Sequence, residues 1–179
     1  MFDWWLQRSD DDPAVTGHCG DAGSDEVRSS AAPGTSIRYD AGLLSQLADD
    51  HKALSGVYDQ IVVLEKRGDY ASLAIELNNF RVLLRDHVLR ETTRLYIYLE
   101  NTYSDAGGST GLIREFRRDA NQACKQFNRF VRDYCQGGWD IGRKQRFRRD
   151  LEVLGKVLRE RIEMEEDHLF FLYTDPDEF

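Results

Sequence analysis

The sequence lacks the features that mark membrane and secreted proteins. No apolar run approaches the roughly 20 residues that a bilayer-spanning helix needs. Its start, MFDWWLQRSDDD, has no basic region ahead of a short apolar stretch, so we expect no secretory signal peptide. The three cysteines are an odd number without C-x-x-C spacing, which suits a reducing compartment and argues against a disulfide framework. These absences predict a cytoplasmic protein that does not contact a membrane.

The motifs of common enzyme classes are also missing. The chain has neither a phosphate-cradling glycine loop nor a nucleophile elbow, so we expect no enzymatic activity. A net charge of −8 and the lack of a helix-turn-helix signature disfavour direct nucleic-acid binding. The charge is uneven, however, with −5 over residues 1–37 and +7 over residues 114–149. This asymmetry favours a protein partner with an acidic surface.

Residues 1–37 differ in composition from the rest of the chain. From about residue 7 they are mostly Asp, Ser, Gly, Ala and Pro, which cannot bury enough apolar surface to offset the entropy lost on ordering. We therefore predict a flexible acidic tail over residues 1–37 and a folded domain over residues 38–175. The first six residues include Trp4 and Trp5, which could dock on a partner's hydrophobic groove or fold back on this chain's own domain.

Helical periodicity is what the chain has in abundance. Four segments carry apolar side chains at alternating spacings of three and four, the stripe of a long amphipathic helix. The stripes run over Leu47–Ile61, Leu73–Tyr98, Ile113–Tyr134 and Phe147–Leu172. Turn signals at Gly68-Asp69, a polar loop over residues 101–110 and the stretch 136–140 separate them. Short connections between four helices predict an all-α, up-down-up-down antiparallel four-helix bundle.

Six polar side chains interrupt these stripes at positions that face the predicted core. They are His51, His87, Glu91, Arg161, Glu165 and His168. Such groups are rarely buried unless they are paired or bind a metal. Histidines and carboxylates that project from facing helices are the usual ligands of iron in a bundle. One hypothesis is therefore a metal site made of His51, His87, Glu91 and Glu165, to which the Glu-x-x-His spacing adds His168 as a further candidate.

A second arrangement of the same residues needs no metal. Arg161 precedes Glu165 by four residues, as His87 precedes Glu91, so Arg161 takes the position that corresponds to His87 in this repeat. A guanidinium there could bond both carboxylates and supply the positive charge of a metal ion. Its loss would leave buried carboxylates unpaired, at roughly 3–5 kcal/mol. The residues alone leave both arrangements open.

The segments DDHKAL, LLRDHVLRETTRLYIYLE and ERIEMEEDHLFFLY together resemble the hemerythrin-like HHE cation-binding family over residues 41–173. The resemblance implies a four-helix bundle with a non-haem di-iron centre, used to bind dioxygen or to handle and sense iron or nitric oxide. The family pattern is a histidine on the first helix and His-x-x-x-Glu on the second, repeated on the third and fourth helices.

The pattern is complete only in its first half, where the resemblance implies three metal ligands: His51, His87 and Glu91. In the second half, Ala120 and Arg161 stand at the two histidine positions, and only Glu165 matches. The implied cofactor is therefore iron in a mononuclear or incomplete di-iron site, or none at all.

The second predicted helix, together with the segments ERIEMEEDHLF and FNRFVRDYC, is distantly similar to the regulator-of-sigma-D/AlgQ family. That resemblance implies a metal-free bundle that binds the primary sigma factor, and hence a transcription or signalling component as partner. The basic stretch RKQRFRR, with Arg143, Lys144 and Arg146, is a candidate surface for such a partner. The plainest interpretation of this stretch is a solvated face with charge pairs, and docking of the chain's own acidic tail is a further alternative.

These observations predict a hemerythrin-like bundle with a degenerate metal centre. Its role is expected to be that of a non-enzymatic regulatory or partner-binding protein. The alternative is an iron-binding protein that senses or handles oxygen, nitric oxide or iron.

Overall fold

Four long helices form the described part of the chain, residues 36–104 and 107–175 of this computed structural model. Helix α1 spans Leu43–Arg67 and α3 spans Gly107–Tyr134. Helix α2 runs over Tyr70–Arg90, a π-helical turn Glu91–Tyr96 and a last α-helical part Ile97–Thr102. Helix α4 runs over Ile141–Met164, a π-helical turn Glu165–Leu169 and a short 3₁₀ turn Phe170–Leu172. Successive helices pack together and α1 packs on α4, which confirms the predicted all-α four-helix bundle.

Two of the predicted connections are confirmed in detail. Gly68 ends α1 with a φ of 71°, the left-handed conformation that glycine adopts without steric cost. Asp69 then caps α2 by accepting a hydrogen bond from the Ser72 backbone N–H at 3.1 Å. Asp140 caps α4 in the same way, accepting from the Arg143 N–H at 2.7 Å.

The predicted polar loop over residues 101–110 is too long. Helix α2 continues to Thr102, and α3 already begins at Gly107. Polar side chains fit these helix ends because they can bond backbone carbonyls there: Asn101 Nδ2 donates to the Ile97 carbonyl at 2.7 Å, and the Thr110 hydroxyl donates to the Tyr103 carbonyl just after α2.

Two apolar clusters fill the bundle, with a polar layer between them. The larger cluster lies toward the α1–α2 turn and includes Leu54, Leu84, Phe127 and Leu158. The smaller cluster lies toward the opposite end and includes Leu47, Leu95, Phe116 and Leu169. On α1, α2 and α4 the residues between these two clusters are the polar ones that interrupt the apolar stripes. The apolar packing therefore holds a layer of histidine, carboxylate and guanidinium groups in the middle of the bundle.

None of the helices in the described ranges is both long and apolar enough to cross a bilayer. The predicted flexible tail, with Trp4 and Trp5, falls almost entirely outside the described residues.

Candidate metal centre

The polar layer brings together four of the residues that the sequence nominated as metal ligands. His51 projects from α1, His87 and Glu91 from α2, and Glu165 from α4. Their exposed fractions are 3%, 5%, 2% and 2%, so all four are buried. The His-x-x-x-Glu spacing on α2 places His87 one turn before Glu91 on the same face of the helix.

Three donor atoms from three helices converge in this layer. His51 Nε2 lies 2.8 Å from Glu165 Oε2. His87 Nε2 lies 3.8 Å from the same oxygen and 3.9 Å from Glu91 Oε2, too far for hydrogen bonds. The ligating atoms of His51, His87 and Glu165 all lie within 4.8 Å of one another. The two imidazole rings are tilted against each other, with centroids 4.8 Å apart.

Each histidine also has a carboxylate at its outer nitrogen. His51 Nδ1 is hydrogen-bonded to Glu166 Oε1 at 2.8 Å. His87 Nδ1 lies 3.5 Å from Asp50 Oδ2 and has no hydrogen bond of its own, because Asp50 is held by Arg90. Carboxylates behind the ligating nitrogen are the usual means by which proteins orient metal-binding histidines. The sequence did not reveal Asp50 or Glu166 because both lie on the outer side of the helix stripe.

Arg161 reaches both carboxylates of the layer. Its Nη2 donates to Glu91 Oε1 at 3.1 Å and its Nε contacts Glu165 Oε1. Nη2 also donates to the Tyr96 hydroxyl at 2.5 Å, and Nη1 donates to the Phe116 carbonyl at 3.3 Å. The guanidinium therefore lies where the matching four-residue spacings on α2 and α4 predicted it. It is between the two acids and turned away from solvent.

The pKa values of the two imidazoles are shifted in opposite directions. Burial alone lowers the pKa of His51, but the hydrogen bond and charge of Glu165, joined by Glu166, raise it above its ordinary value. Burial lowers the pKa of His87, which favours the neutral ring with a free lone pair. The raised pKa of His51 favours its protonated form beside Glu165, whereas the lowered pKa of His87 favours a neutral ring with one N–H and one lone pair.

The pKa values of the two carboxyl groups are also shifted in opposite directions. Burial raises the pKa of Glu91, and the neighbouring charge of Glu165 raises it further. Burial also opposes ionisation of Glu165, but the His51 hydrogen bond and the Arg161 charge outweigh it and lower the pKa of this carboxyl. Glu165 is thus the carboxylate that stays ionised most readily, and it is the one shared by both histidines.

This donor set fits a single metal ion. Two ligands of one ion, each at a bond length of about 2.0–2.2 Å, lie at most about 4.4 Å apart, so the three donor atoms need to approach by only a few tenths of an ångström. Imidazole nitrogen with carboxylate oxygen suits iron and other divalent transition metals. His87 Nε2, which has both neighbouring carboxylate oxygens beyond hydrogen-bond distance, is the atom that such an ion would satisfy. The unpaired buried Nδ1 of the same ring faces Asp50 instead.

The donor set does not extend to a second ion. Helix α3 contributes Ala120 and Ala123 to the layer, where a cavity of about 30 Å³ adjoins Cys124 and Glu91. The position next to Glu91 and Glu165 is already taken by the Arg161 guanidinium. A full di-iron ligand set is therefore lacking among the residues that line this cavity.

His168, the further candidate ligand, does not lie with the other four in the polar layer. It is exposed, whereas Leu169 and Tyr173 are buried. The cause is the π-helical turn that begins at Glu165: its wider turn adds a residue to the repeat, so the next inward position is 169 rather than 168. The Glu-x-x-His spacing assumed a regular α-helix that is not present here.

The two π-helical turns also bring in residues that sequence reasoning missed. One turn begins at Glu91 and the other at Glu165, the two carboxylates of the layer. Five residues beyond each carboxylate stands an aromatic side chain that contacts the site. Tyr96 accepts the Arg161 hydrogen bond, and the Phe170 ring is parallel to the His51 ring, with centroids 6.0 Å apart. The shared Glu-x-x-x-x-aromatic spacing was the available signal.

The basic stretch on α4 is engaged mostly with this chain itself. Arg143 donates to the carbonyls of Asp133 and Gln136 and lies over the Trp139 ring, while the Lys144 ammonium lies over a tyrosine ring. The Arg143 contacts join the end of α3 to the start of α4, and the Lys144 contact joins α4 to the start of α2 at Tyr70. Arg146 is exposed, and a partner-binding role for the stretch stays a prediction.

Comparisons with known proteins identify a family for this chain but no individual relative. A family model described as the hemerythrin HHE cation binding domain matches residues 42–173. No curated protein matches the chain, and no solved structure does. The match covers all four helices and the whole polar layer, so this chain belongs to the hemerythrin HHE cation-binding domain family.

Proposed function

We propose that this protein binds one metal cation, with iron as the first candidate, and acts as a non-enzymatic binding or sensing protein. His51, His87 and Glu165 would hold the ion, with the free Oε2 of Glu91 beside it. The single observation that carries this proposal is the buried convergence of these three donors from three helices. An iron ion held there would supply redox chemistry and affinity for small diatomic ligands.

The charge balance of the layer supports one ion rather than two. Two carboxyl groups face one guanidinium, and the His51 Nε2–Glu165 Oε2 contact is the place where one more positive charge is favoured, because Glu165 raises the pKa of His51. A single cation could take that place between His51 Nε2 and Glu165 Oε2. A second cation would have to displace Arg161, whose guanidinium already bonds both acids.

The orientation of the histidines supports the same conclusion. In His51 the outer nitrogen is bonded to Glu166, so the inner nitrogen faces the layer. In His87 both carboxylate oxygens near Nε2 are beyond hydrogen-bond distance. A metal ion would satisfy His87, which a purely structural polar network leaves unsatisfied.

Metal content tests the proposal directly. The chain is purified from iron-supplemented medium, and also loaded with Co²⁺ or Zn²⁺ after removal of metal, and the ions per chain are counted. We expect one ion per chain in the natural protein and in His168→Ala, and a strong loss of binding in His87→Ala. His168→Ala is the matched control because that histidine is exposed on the same bundle. Absence of binding, or two irons with oxo-bridged absorption, would contradict a one-ion site.

Restoring the second half of the family pattern tests why only one ion binds. In Ala120→His combined with Arg161→His, both missing histidine positions are filled and the guanidinium is removed. We expect a second ion to bind to this double variant. Retention of one ion per chain would show that something other than these two positions limits the site.

A second candidate function is a metal-free protein that binds an acidic partner. Two observations favour it: His51 and Glu165 are hydrogen-bonded to each other without an ion, and α3 presents a basic groove of about 560 Å³. The groove is lined by Glu100, Arg114, Arg117, Arg118, Asn121, Gln122 and Lys125. A pull-down with the full chain and with residues 38–179 tests this candidate. Capture of the same partner by both forms, and by His87→Ala, would favour it over metal binding.

A further inference from the structure

The Arg161 guanidinium is held by a set of acceptors that comes from three helices. Within α4 its Nε contacts Glu165. Its Nη2 is shared between Glu91 and Tyr96 on α2, and its Nη1 donates to the Phe116 carbonyl on α3. Both terminal nitrogens of the guanidinium therefore donate hydrogen bonds, whereas Nε has only its ion-pair contact with Glu165. Two of the hydrogen-bond acceptors, the Tyr96 hydroxyl and the Phe116 carbonyl, are not carboxylates. A cation whose only role was to balance charge would not need these two neutral acceptors.

Tyr96 reaches this position because of the π-helical turn. In an α-helix of 3.6 residues per turn, residues five apart lie about 140° apart around the axis, so Tyr96 would turn away from Glu91. In the turn Glu91–Tyr96 the wider spacing brings residues five apart onto nearly the same face. Tyr96 is consequently 1% exposed, and its hydroxyl lies against the guanidinium.

We propose that Tyr96 positions the Arg161 guanidinium in the place of a second cation and thereby restricts the site to one metal ion. This inference rests on the proposed function, because it concerns the number of ions that the same site accepts. Tyr96 is a positioning residue here: it acts on the metal site through Arg161. A hydrogen bond to a charged donor holds the guanidinium more firmly than the carboxylates would alone.

The alternative is that Tyr96 is an ordinary core residue. Tyr98 offers the matched comparison, since it is equally buried in the same segment and its hydroxyl donates to the Thr174 carbonyl at 2.9 Å. Tyr96→Phe and Tyr98→Phe each remove one buried hydroxyl from α2, and only Tyr96→Phe removes a contact of the guanidinium. Any effect of hydroxyl loss on folding alone should be similar in the two variants.

The experiment measures the binding of a first and a second equivalent of Co²⁺ by calorimetry in five proteins: the natural protein, Tyr96→Phe, Tyr98→Phe, Arg161→Met and the double variant Tyr96→Phe/Arg161→Met. We expect the second equivalent to bind roughly 10- to 100-fold more tightly in Tyr96→Phe than in the natural protein, the factor that one hydrogen bond to a charged group represents. Tyr98→Phe should match the natural protein. Tyr96→Phe should add nothing once Arg161 is replaced by methionine.

The outcomes separate this inference from the proposed function. If the natural protein binds a first equivalent and the second is equally weak with and without the Tyr96 hydroxyl, the positioning role is overturned and the one-ion function stands. If the natural protein binds no first equivalent, the proposed function fails. In that case, a double-mutant cycle of Tyr96→Phe and Arg161→Met on metal-free unfolding decides the role of Tyr96. Absence of coupling between the two substitutions would overturn it.

Discussion

Replacement of Arg161 by methionine should destabilise the metal-free protein severely. The arginine side chain is 12% exposed, and the two carboxylates that it contacts are 3% exposed each. Removal of one partner from a buried ion pair leaves uncompensated charge and costs about 3–5 kcal/mol. Since small domains have roughly 5–15 kcal/mol of stability in total, this single change should remove a large share of it.

The loss should also depend on pH, with a sign that follows from Glu91. Its pKa is already raised by burial and by Glu165, and removal of the guanidinium raises it further. A carboxyl whose pKa is raised on folding contributes stability below its unfolded pKa and loses it as pH rises through the folded value. The destabilisation should therefore be smaller at pH 5, where Glu91 takes up a proton more readily, and larger at pH 8.

Urea unfolding of Arg161→Met at these two pH values measures both effects. Arg149→Met serves as the control, because Arg149 is exposed on the same helix and its replacement should change the free energy of unfolding by no more than about 0.5 kcal/mol. A loss below about 1 kcal/mol in Arg161→Met, equal at both pH values, would refute the reasoning. It would mean that the two acids share a proton and do not need the guanidinium.

Four further predictions concern two polar side chains near the site and two glycines of the bundle. Glu166→Gln should weaken metal binding by about 10- to 100-fold, measured by calorimetry, since it loosens the orientation of an imidazole. His168→Ala should leave both the free energy of unfolding and the metal content unchanged, because the ring is exposed. Gly155→Ala should destabilise by about 1–3 kcal/mol in urea unfolding, since a new Cβ would lie 2.0 Å from the Tyr58 hydroxyl oxygen. Gly56→Ala, with open space around it, should instead stabilise by up to about 1 kcal/mol.

Much of the site can be read from spacing alone. His87 and Glu91 share a face because they are four residues apart on a helix, and His51 lies in the apolar stripe of its own helix. The same stripe logic placed Arg161 and Glu165 inward on α4. Such positions are readable because the period of an α-helix is fixed by its backbone hydrogen bonds, whatever the helix packs against.

Spacing failed where the helices stop being α-helical. The regular period placed His168 inward and gave Tyr96 no role. The π-helical turn at Glu165 instead leaves His168 exposed, and the turn at Glu91 brings Tyr96 into the site. The carboxylates at the outer nitrogens of His51 and His87 were missed for a different reason. Asp50 and Glu166 lie beside the stripe, and their contacts arise only when neighbouring helices come together.

By itself, the amino-acid sequence determined the four helices, two of their capped connections and which polar side chains turn inward, because these depend on local periodicity and backbone geometry. Only the packing of the helices decided which atoms meet: that three donors converge within 4.8 Å and that a guanidinium and a phenol fill the adjoining position. The physical reason is that burial and charge pairing are properties of several helices at once. A period of three and four describes one helix, whereas the number of ions that a site can hold depends on all four.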